Sequence, residues 1–323
     1  MPIFKVSVVS LGYASYDLER LLLSEIDAEL VLAPRDCLTE AEVIEAAGDA
    51  DAVLVREAPI GSRVIGALSR CRAIVRYGVG VDNIDLEAAK RRRIYVANVP
   101  GYGTEEVSDH AAALLLACIR RLLRSDACLR RGILESDIQE AVYRTTGKIL
   151  GLVGYGRIGQ AFHRKWKGFL PSRVLVVDPK VEPEVIRGNG AEPATLEELF
   201  SCSDYLSLHV PLTEKTRHLV NADRLNCMKS TAILVNTARG GLIDEDALAK
   251  ALAAGRIAGA GLDVFEREPL PADHPLLSLP NVVLSGHVGW YSRDAVQELQ
   301  RRAAEEVVRV LSGAPPQSWV NPW

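Results

Sequence analysis

From one end to the other, the chain alternates short β-branched or apolar runs with helical segments. That pattern constrains the fold more than any single motif does. Strands joined by helices cannot pair as tight hairpins, so each crossover returns the chain parallel to itself and predicts parallel sheets. Phe4–Val9, Glu29–Leu32, Ala52–Val55, Ala73–Arg76 and Ile94–Ala97 read as strands of a first sheet. Helices are expected over Tyr16–Leu23, after the capping box Thr39-Glu-Ala-Glu42, from near Ser62, and from Asp85 as N-cap to about Arg91. The turn residues Asn98-Val-Pro-Gly-Tyr-Gly103 interrupt the pattern, and one long helix is expected from Thr104 to Arg131. A second alternation supplies strands at Lys148–Val153, Val174–Val177, Tyr205–His209, Ala232–Thr237, Gly259–Val264 and Val282–Leu284. That is close to the six parallel strands of a dinucleotide-binding domain. A terminal helix over Ser292–Leu311 returns the chain.

A length of 323 residues suits two domains of ordinary size. The net charge of -4 argues against nucleic acid or an acidic membrane surface as partner. The basic runs Arg91-Arg92-Arg93 and Arg120-Arg121 read as solvated helix faces. The most apolar segment, residues 111–119, is half the length a membrane helix needs, and the N-terminus has no signal-peptide pattern. Six scattered cysteines lack CxxC or metal-like spacing, so no metal site is expected and free thiols in a reducing cytoplasm are the default.

The sequence Gly154-Tyr-Gly156-Arg157-Ile158-Gly159 directly follows a predicted strand and opens a predicted helix. Gly154 permits the tight turn, Gly156 lets backbone approach a pyrophosphate, and Gly159 allows close helix–strand packing. The helix start then offers free N–H groups and the positive dipole end to the phosphate. Asp178 ends the next strand, 19 residues after Gly159, where a carboxylate accepts hydrogen bonds from ribose hydroxyls and repels a 2′-phosphate. The expected cofactor is therefore NAD rather than NADP.

Three later segments carry polar chemistry just past buried strands: Arg239 in NTARGG, Glu268 in DVFEREP and His287 in SGH. In a parallel sheet such strand ends share one edge, where doubly wound folds bind ligands. Reduction of a 2-oxo acid leaves charge on the keto oxygen and needs a proton donor, which histidine supplies near neutral pH. A neighbouring carboxylate stabilises the imidazolium and fixes the ring. An arginine can hold a carboxylate or carbonyl in a planar, charge-assisted contact. Each residue alone persuades little, and the joint arrangement carries the reading.

At this point the sequence resembles the D-isomer-specific 2-hydroxyacid dehydrogenase family. The resemblance runs through VRYGVGVDNIDLEAA (75–89), NVPGYGTEEVSDHAAALLLA (98–117), GLVGYGRIGQA (151–161), LVNTARGGLIDEDAL (234–248), AGAGLDVFEREPL (258–270) and HVGWYS (287–292). It implies two doubly wound parallel-sheet domains. A Rossmann NAD domain would span 100–287, and a flavodoxin-like substrate domain 1–99 with 288–323. It also implies catalysis by Arg239, Glu268 and His287, with a small 2-oxo or 2-hydroxy acid as substrate. Substrate contacts fall on the loop of Arg76, Tyr77 and Gly78. Thr104, His209, Val210, Pro211, Thr216, Thr237, Ala238 and Asp263 fall where the family meets its cofactor, and a homodimer through the long helix is implied. HVGWYS and the arginine of VRYG look most similar to the C-terminal-binding proteins, which adds Trp290 to the substrate residues. Where the family usually has proline before the histidine, this chain has Gly286, a change expected to loosen the loop. The alternative of a different class is an NAD(H)-sensing scaffold or corepressor resembling those proteins. Formate dehydrogenase, which would pair its histidine with a neutral amide, is disfavoured by Glu268.

Overall fold

The computed structural model describes residues 2–133 and 142–323. They form two compact units, one of Met1–Tyr102 with Ser292–Trp323 and one of Gly103–Tyr291.

The first unit is a five-stranded sheet built from β1 (Phe4–Val8), β2 (Ala28–Leu32), β3 (Ala52–Val55), β4 (Ala73–Arg76) and β5 (Tyr95–Ala97). All pairings are parallel, and the order β2-β1-β3-β4-β5 is the flavodoxin-like doubly wound order. β3 is buried along its whole length, as expected of a strand covered on both faces. The capping box forms as expected, with Thr39 accepting from the Glu42 N–H and Glu42 reaching back to the Thr39 N–H. Asp85 and Ser292 cap their helices by accepting the N–H groups of Ala88 and Ala295. The C-terminal residues seal the β5 edge. Asn321 accepts the Val96 N–H at 2.8 Å and donates to the Ile94 carbonyl at 2.9 Å, imitating the next strand's peptide.

The second unit holds β6 (Ile149–Val153), β7 (Arg173–Val177), β8 (Glu192–Pro193), β9 (Tyr205–Leu208), β10 (Ile233–Asn236), β11 (Gly259–Leu262) and β12 (Val282–Leu284). Read from β8, the order is β8-β7-β6-β9-β10-β11-β12. That is the 3-2-1-4-5-6 dinucleotide-binding order with one more parallel strand at the far edge. The short β8 was not expected from the sequence, because two residues ending in proline carry no strand pattern. Side chains alternate between two separate cores. Leu206, Leu208 and Leu234 enter one, whereas Tyr205, Ile233 and Val235 enter the other.

The single long helix expected over Thr104–Arg131 is instead two, Thr104–Arg120 and Leu122–Arg130. Arg121 adopts a left-handed conformation (φ 50°) and its N–H closes onto the carbonyls of Ala117 and Cys118. Nothing in the local sequence marks this break, since Arg-Arg-Leu-Leu is a good helix former. The breadth of apolar residues on the first helix is taken up within the unit itself. Ala111, Leu114 and Leu115 are buried, and Gly261 lets Leu114 approach so closely that a Cβ there would lie 2.9 Å from the Leu114 Cβ. Within Thr104–Arg131, the large apolar side chains that stay exposed, Leu122, Leu123 and Leu129, lie on the second helix. No helix among the described residues is long and apolar enough to cross a membrane.

Candidate active site

The glycine-rich turn has the steric logic its sequence proposes. Gly154 has φ +95°, and a Cβ on it would lie 2.5 Å from the His209 carbonyl oxygen. A Cβ on Gly159 would lie 2.3 Å from the Gly154 oxygen, so helix and strand touch only because both positions lack side chains. Gly156, by contrast, faces open space. It is the N-cap of the helix Arg157–Trp166, and no side chain caps that helix. The first N–H groups there, on Arg157 and Ile158 among others, are left for an anion.

Asp178 follows β7. One of its carboxylate oxygens accepts the Tyr155 N–H at 2.7 Å and the other accepts the Lys180 N–H at 2.8 Å. Each oxygen retains acceptor capacity, so the group is held in place yet able to receive hydroxyl donors. The site therefore fits a dinucleotide on its own chemistry. His209, at the end of β9, is held uncharged, since burial pushes it down to about 3, and its Nε2 lies 3.0 Å from the Ser207 hydroxyl. Thr216 donates to the Pro211 carbonyl and accepts the Thr213 N–H, so its hydroxyl closes the turn that carries Val210 and Pro211. The Thr237 hydroxyl is buried without a partner, and Ala238 beside it donates its N–H to Asn236. Thr104 is the first residue of its helix.

The three proposed catalytic residues leave adjacent strands. Asn236, Leu262 and Leu284 stand in register across β10, β11 and β12, and Arg239 and His287 each follow three residues beyond. His287 Nδ1 lies 2.7 Å from Glu268 Oε2. Glu268 Oε1 accepts the Phe265 N–H at 3.0 Å. Burial works to raise the Glu268 carboxyl. The His287 and Phe265 hydrogen bonds and the charges of His287 and Arg239 outweigh it and hold the group below its ordinary value of 4.5.

Arg239 is oriented by its own turn, in which buried Asn236 donates to the Arg239 carbonyl at 2.8 Å. The neighbouring glycines supply closeness. A Cβ on Gly240 would lie 1.8 Å from the Phe265 carbonyl carbon, so the Arg239 turn packs directly on the backbone that leads to Glu268.

The loop bearing His287 is likewise firm despite Gly286. His287 has φ +56°, its N–H donates to the Asp263 carbonyl at 2.6 Å, and its own carbonyl accepts from Trp290 Nε1 at 3.1 Å. The Asp263 carboxylate accepts the Ser285 hydroxyl (2.6 Å), the Val288 N–H (3.0 Å) and the Gly289 N–H (2.8 Å). His110 Nε2 lies 3.3 Å from the same carboxylate and 2.8 Å from the Ser285 hydroxyl. Asp263 thus organises the histidine loop, a duty distinct from the cofactor contact implied by resemblance. His110 and Ser285 were missed, because nothing local in a helix or a strand end marks a residue whose partner lies 175 positions away.

In the first unit, Arg76 ends β4 and its guanidinium lies over Gly78, where a Cβ would stand 1.3 Å from Nη1. Gly78 has φ +141°. The Tyr77 ring is buried, its hydroxyl donates to Glu19 at 2.9 Å and its N–H donates to the Val55 carbonyl at 2.8 Å, so both donors of the residue are spent within the first unit.

The depressed Glu268 value has a consequence for stability. A carboxylate favoured by the fold contributes stability that is full above its unfolded value and is lost as pH falls through the lower folded one. The wild-type Tm is expected to drop more steeply than that of Glu268→Gln between about pH 5 and pH 3. Thermal unfolding across that range checks it, and parallel curves would refute the pairing.

Comparison with known proteins agrees with this geometry. Residues 112–289 match the model of the D-isomer specific 2-hydroxyacid dehydrogenase NAD-binding domain. The chain is 43% identical over 283 residues to a glyoxylate reductase of Korarchaeum cryptofilum, covering 86% of this chain and 85% of that one. It superposes on a crystal structure of a Thermus thermophilus protein with TM-score 0.87 at 38% identity, covering 98% and 99% of the two chains. A D-lactate dehydrogenase of Escherichia coli superposes with TM-score 0.83 at 30% identity, over 97% and 99%. With a parallel dinucleotide fold, an uncapped glycine-rich helix start and a histidine–glutamate pair beside an arginine, the chain belongs to the D-isomer specific 2-hydroxyacid dehydrogenase family and carries its NAD-binding domain.

Proposed function

We propose that this protein interconverts a small 2-oxo acid and the corresponding D-2-hydroxy acid with NAD(H). The observation that carries the reading is the 2.7 Å pairing of His287 Nδ1 with Glu268, on strand ends adjacent to that of Arg239. With Nδ1 donating to the carboxylate, the ring presents Nε2 to the substrate oxygen. In the reductive direction Nε2 gives a proton to the oxygen formed from the keto group, and Glu268 stabilises the imidazolium that precedes transfer. The Gly154–Gly159 turn and Asp178 would hold the NAD(H), which would supply the hydride chemistry. Arg239 orients the acid through its carboxylate or carbonyl. The family resemblance assigns the Trp290 indole to substrate contact, whereas the Tyr77 and Gly78 N–H groups already donate to the Val55 and Arg76 carbonyls at 2.8 and 2.9 Å. The relatives' names, glyoxylate reductase and D-lactate dehydrogenase, favour a short 2-oxo acid, with glyoxylate the first to assay. All six cysteines are free, which fits a cytoplasmic setting.

The likeness of HVGWYS and VRYG to the C-terminal-binding proteins favours a second reading, an NAD(H)-sensing scaffold. Tight NADH binding with no turnover of any 2-oxo acid would select it. Homodimerisation belongs to the same proposal. The exposed Leu122, Leu123 and Leu129 supply its apolar surface, and sedimentation as a monomer at micromolar concentration would count against it.

Replacing His287 by alanine should lower kcat by about 10²–10⁴-fold while NADH affinity holds, the usual range for lost acid–base assistance. Retained wild-type turnover in a stopped-flow NADH assay would sink the assignment. Asp178→Ala should weaken NADH more than NADPH, since it removes both a ribose acceptor and a charge that repels a 2′-phosphate. Fluorescence titration with the two cofactors reads this directly, and an unaltered preference would exclude the ribose role.

A further inference from the structure

Glu245 begins the helix Glu245–Ala253, for which Asp244 already serves as N-cap. A carboxylate in a first helical turn gains from the dipole while exposed to water, so burial is not needed for that purpose. Yet Glu245 is only 8% exposed. One of its oxygens accepts the Glu266 N–H at 2.7 Å, and the other lies 3.3 Å from His274 Nε2. His274 Nδ1 accepts the Leu276 N–H, so Nε2 carries the proton directed at Glu245.

The amide that Glu245 holds belongs to the Phe265–Glu266 peptide, which touches both neighbouring catalytic segments. A Cβ on Gly240 would meet Phe265 C at 1.8 Å and Glu266 N at 2.3 Å, so this peptide is the floor of the Arg239 turn. One residue earlier, the Phe265 N–H donates to Glu268 Oε1. The Glu266 side chain is held in turn by His218. The His218 N–H donates to the Gly241 carbonyl, which returns to the same turn.

We propose that Glu245 is a positioning residue for the reaction. As a hydrogen-bond acceptor it fixes the Phe265–Glu266 peptide, and through that peptide it sets Glu268 and Arg239 relative to each other. This rests on the dehydrogenase reading above. Acceptance of one N–H is the essential property, so an uncharged acceptor of equal reach should serve and a shorter carboxylate should not.

The test uses the full chain as wild type, Glu245→Gln and Glu245→Asp, with Glu245→Ala as a third variant. Steady-state kcat and KM are measured for NADH and for the 2-oxo acid that wild type turns over best. Amide exchange of peptides covering residues 263–270 is followed by mass spectrometry without ligand. Glu245→Gln should stay within about 3-fold of the wild-type kcat. Glu245→Asp, withdrawn by one methylene, should lose about 10–100-fold in kcat, the scale of a sub-ångström to ångström misplacement, while KM for NADH holds. Exchange in 263–270 should accelerate in the aspartate variant and match wild type in the glutamine variant. Wild-type kcat in Glu245→Asp, or a loss in Glu245→Gln as large as that in Glu245→Asp, overturns the proposal. If the alanine variant fails to fold, the glutamine–aspartate contrast still decides. Should wild type bind NADH yet reduce no 2-oxo acid, the dehydrogenase reading fails instead. Unchanged exchange in Glu245→Asp would then overturn the anchoring as well.

Discussion

The buried Asp263 carboxylate is the interaction on which the candidate site depends. At 2% exposure a charge is costly unless hydrogen bonds replace its water, and here the replacement comes from Ser285, the Val288 and Gly289 N–H groups and His110. Burial works to raise its carboxyl, and these contacts outweigh it and hold it below the usual range. Every donor but one comes from the segment that carries His287. Satisfying the charge therefore also shapes that loop, down to the left-handed backbone at His287. A histidine accepts this conformation more readily than most side chains do.

Close backbone contact does the corresponding work for Arg239 and Glu268. The Gly240–Phe265 approach leaves no space for a methyl group, so the two loops share one position rather than floating independently. Rigid placement of charged groups is what lets a site act without reorganising at the moment of reaction. Parallel pairing of β10, β11 and β12 in register provides the common baseline from which all three loops depart.

Much of this was legible in the chain itself. The strands at Ala52–Val55, Ala73–Arg76 and Val282–Leu284 read out with the bounds they have in the structure. Short apolar runs and flanking turn residues are local signals, and burial follows them closely in Ala52–Val55 and Ala73–Arg76 and only halfway in Val282–Leu284. The glycine turn and Asp178 were legible for a similar reason, because their spacing is fixed by one βαβ unit. The break at Arg121 was not legible, since the left-handed residue there is an arginine inside a strong helix former. Nor was the tightness at Gly240, which reads locally as flexibility and becomes a steric requirement only when Phe265 is laid against it.

The sequence by itself determined the alternating architecture, the dinucleotide turn, and the identity of the arginine, glutamate and histidine. Each of these follows from short-range periodicity or from residue chemistry at a strand end. Only the tertiary structure decided that Asp263, His110 and Ser285 hold the histidine loop, that Tyr77 is turned inward onto Glu19, and that Glu245 accepts the N–H of the peptide lying between the Arg239 turn and Glu268. Those partners lie 21 to 175 residues apart along the chain, and their hydrogen bonds exist only once burial removes the competing water.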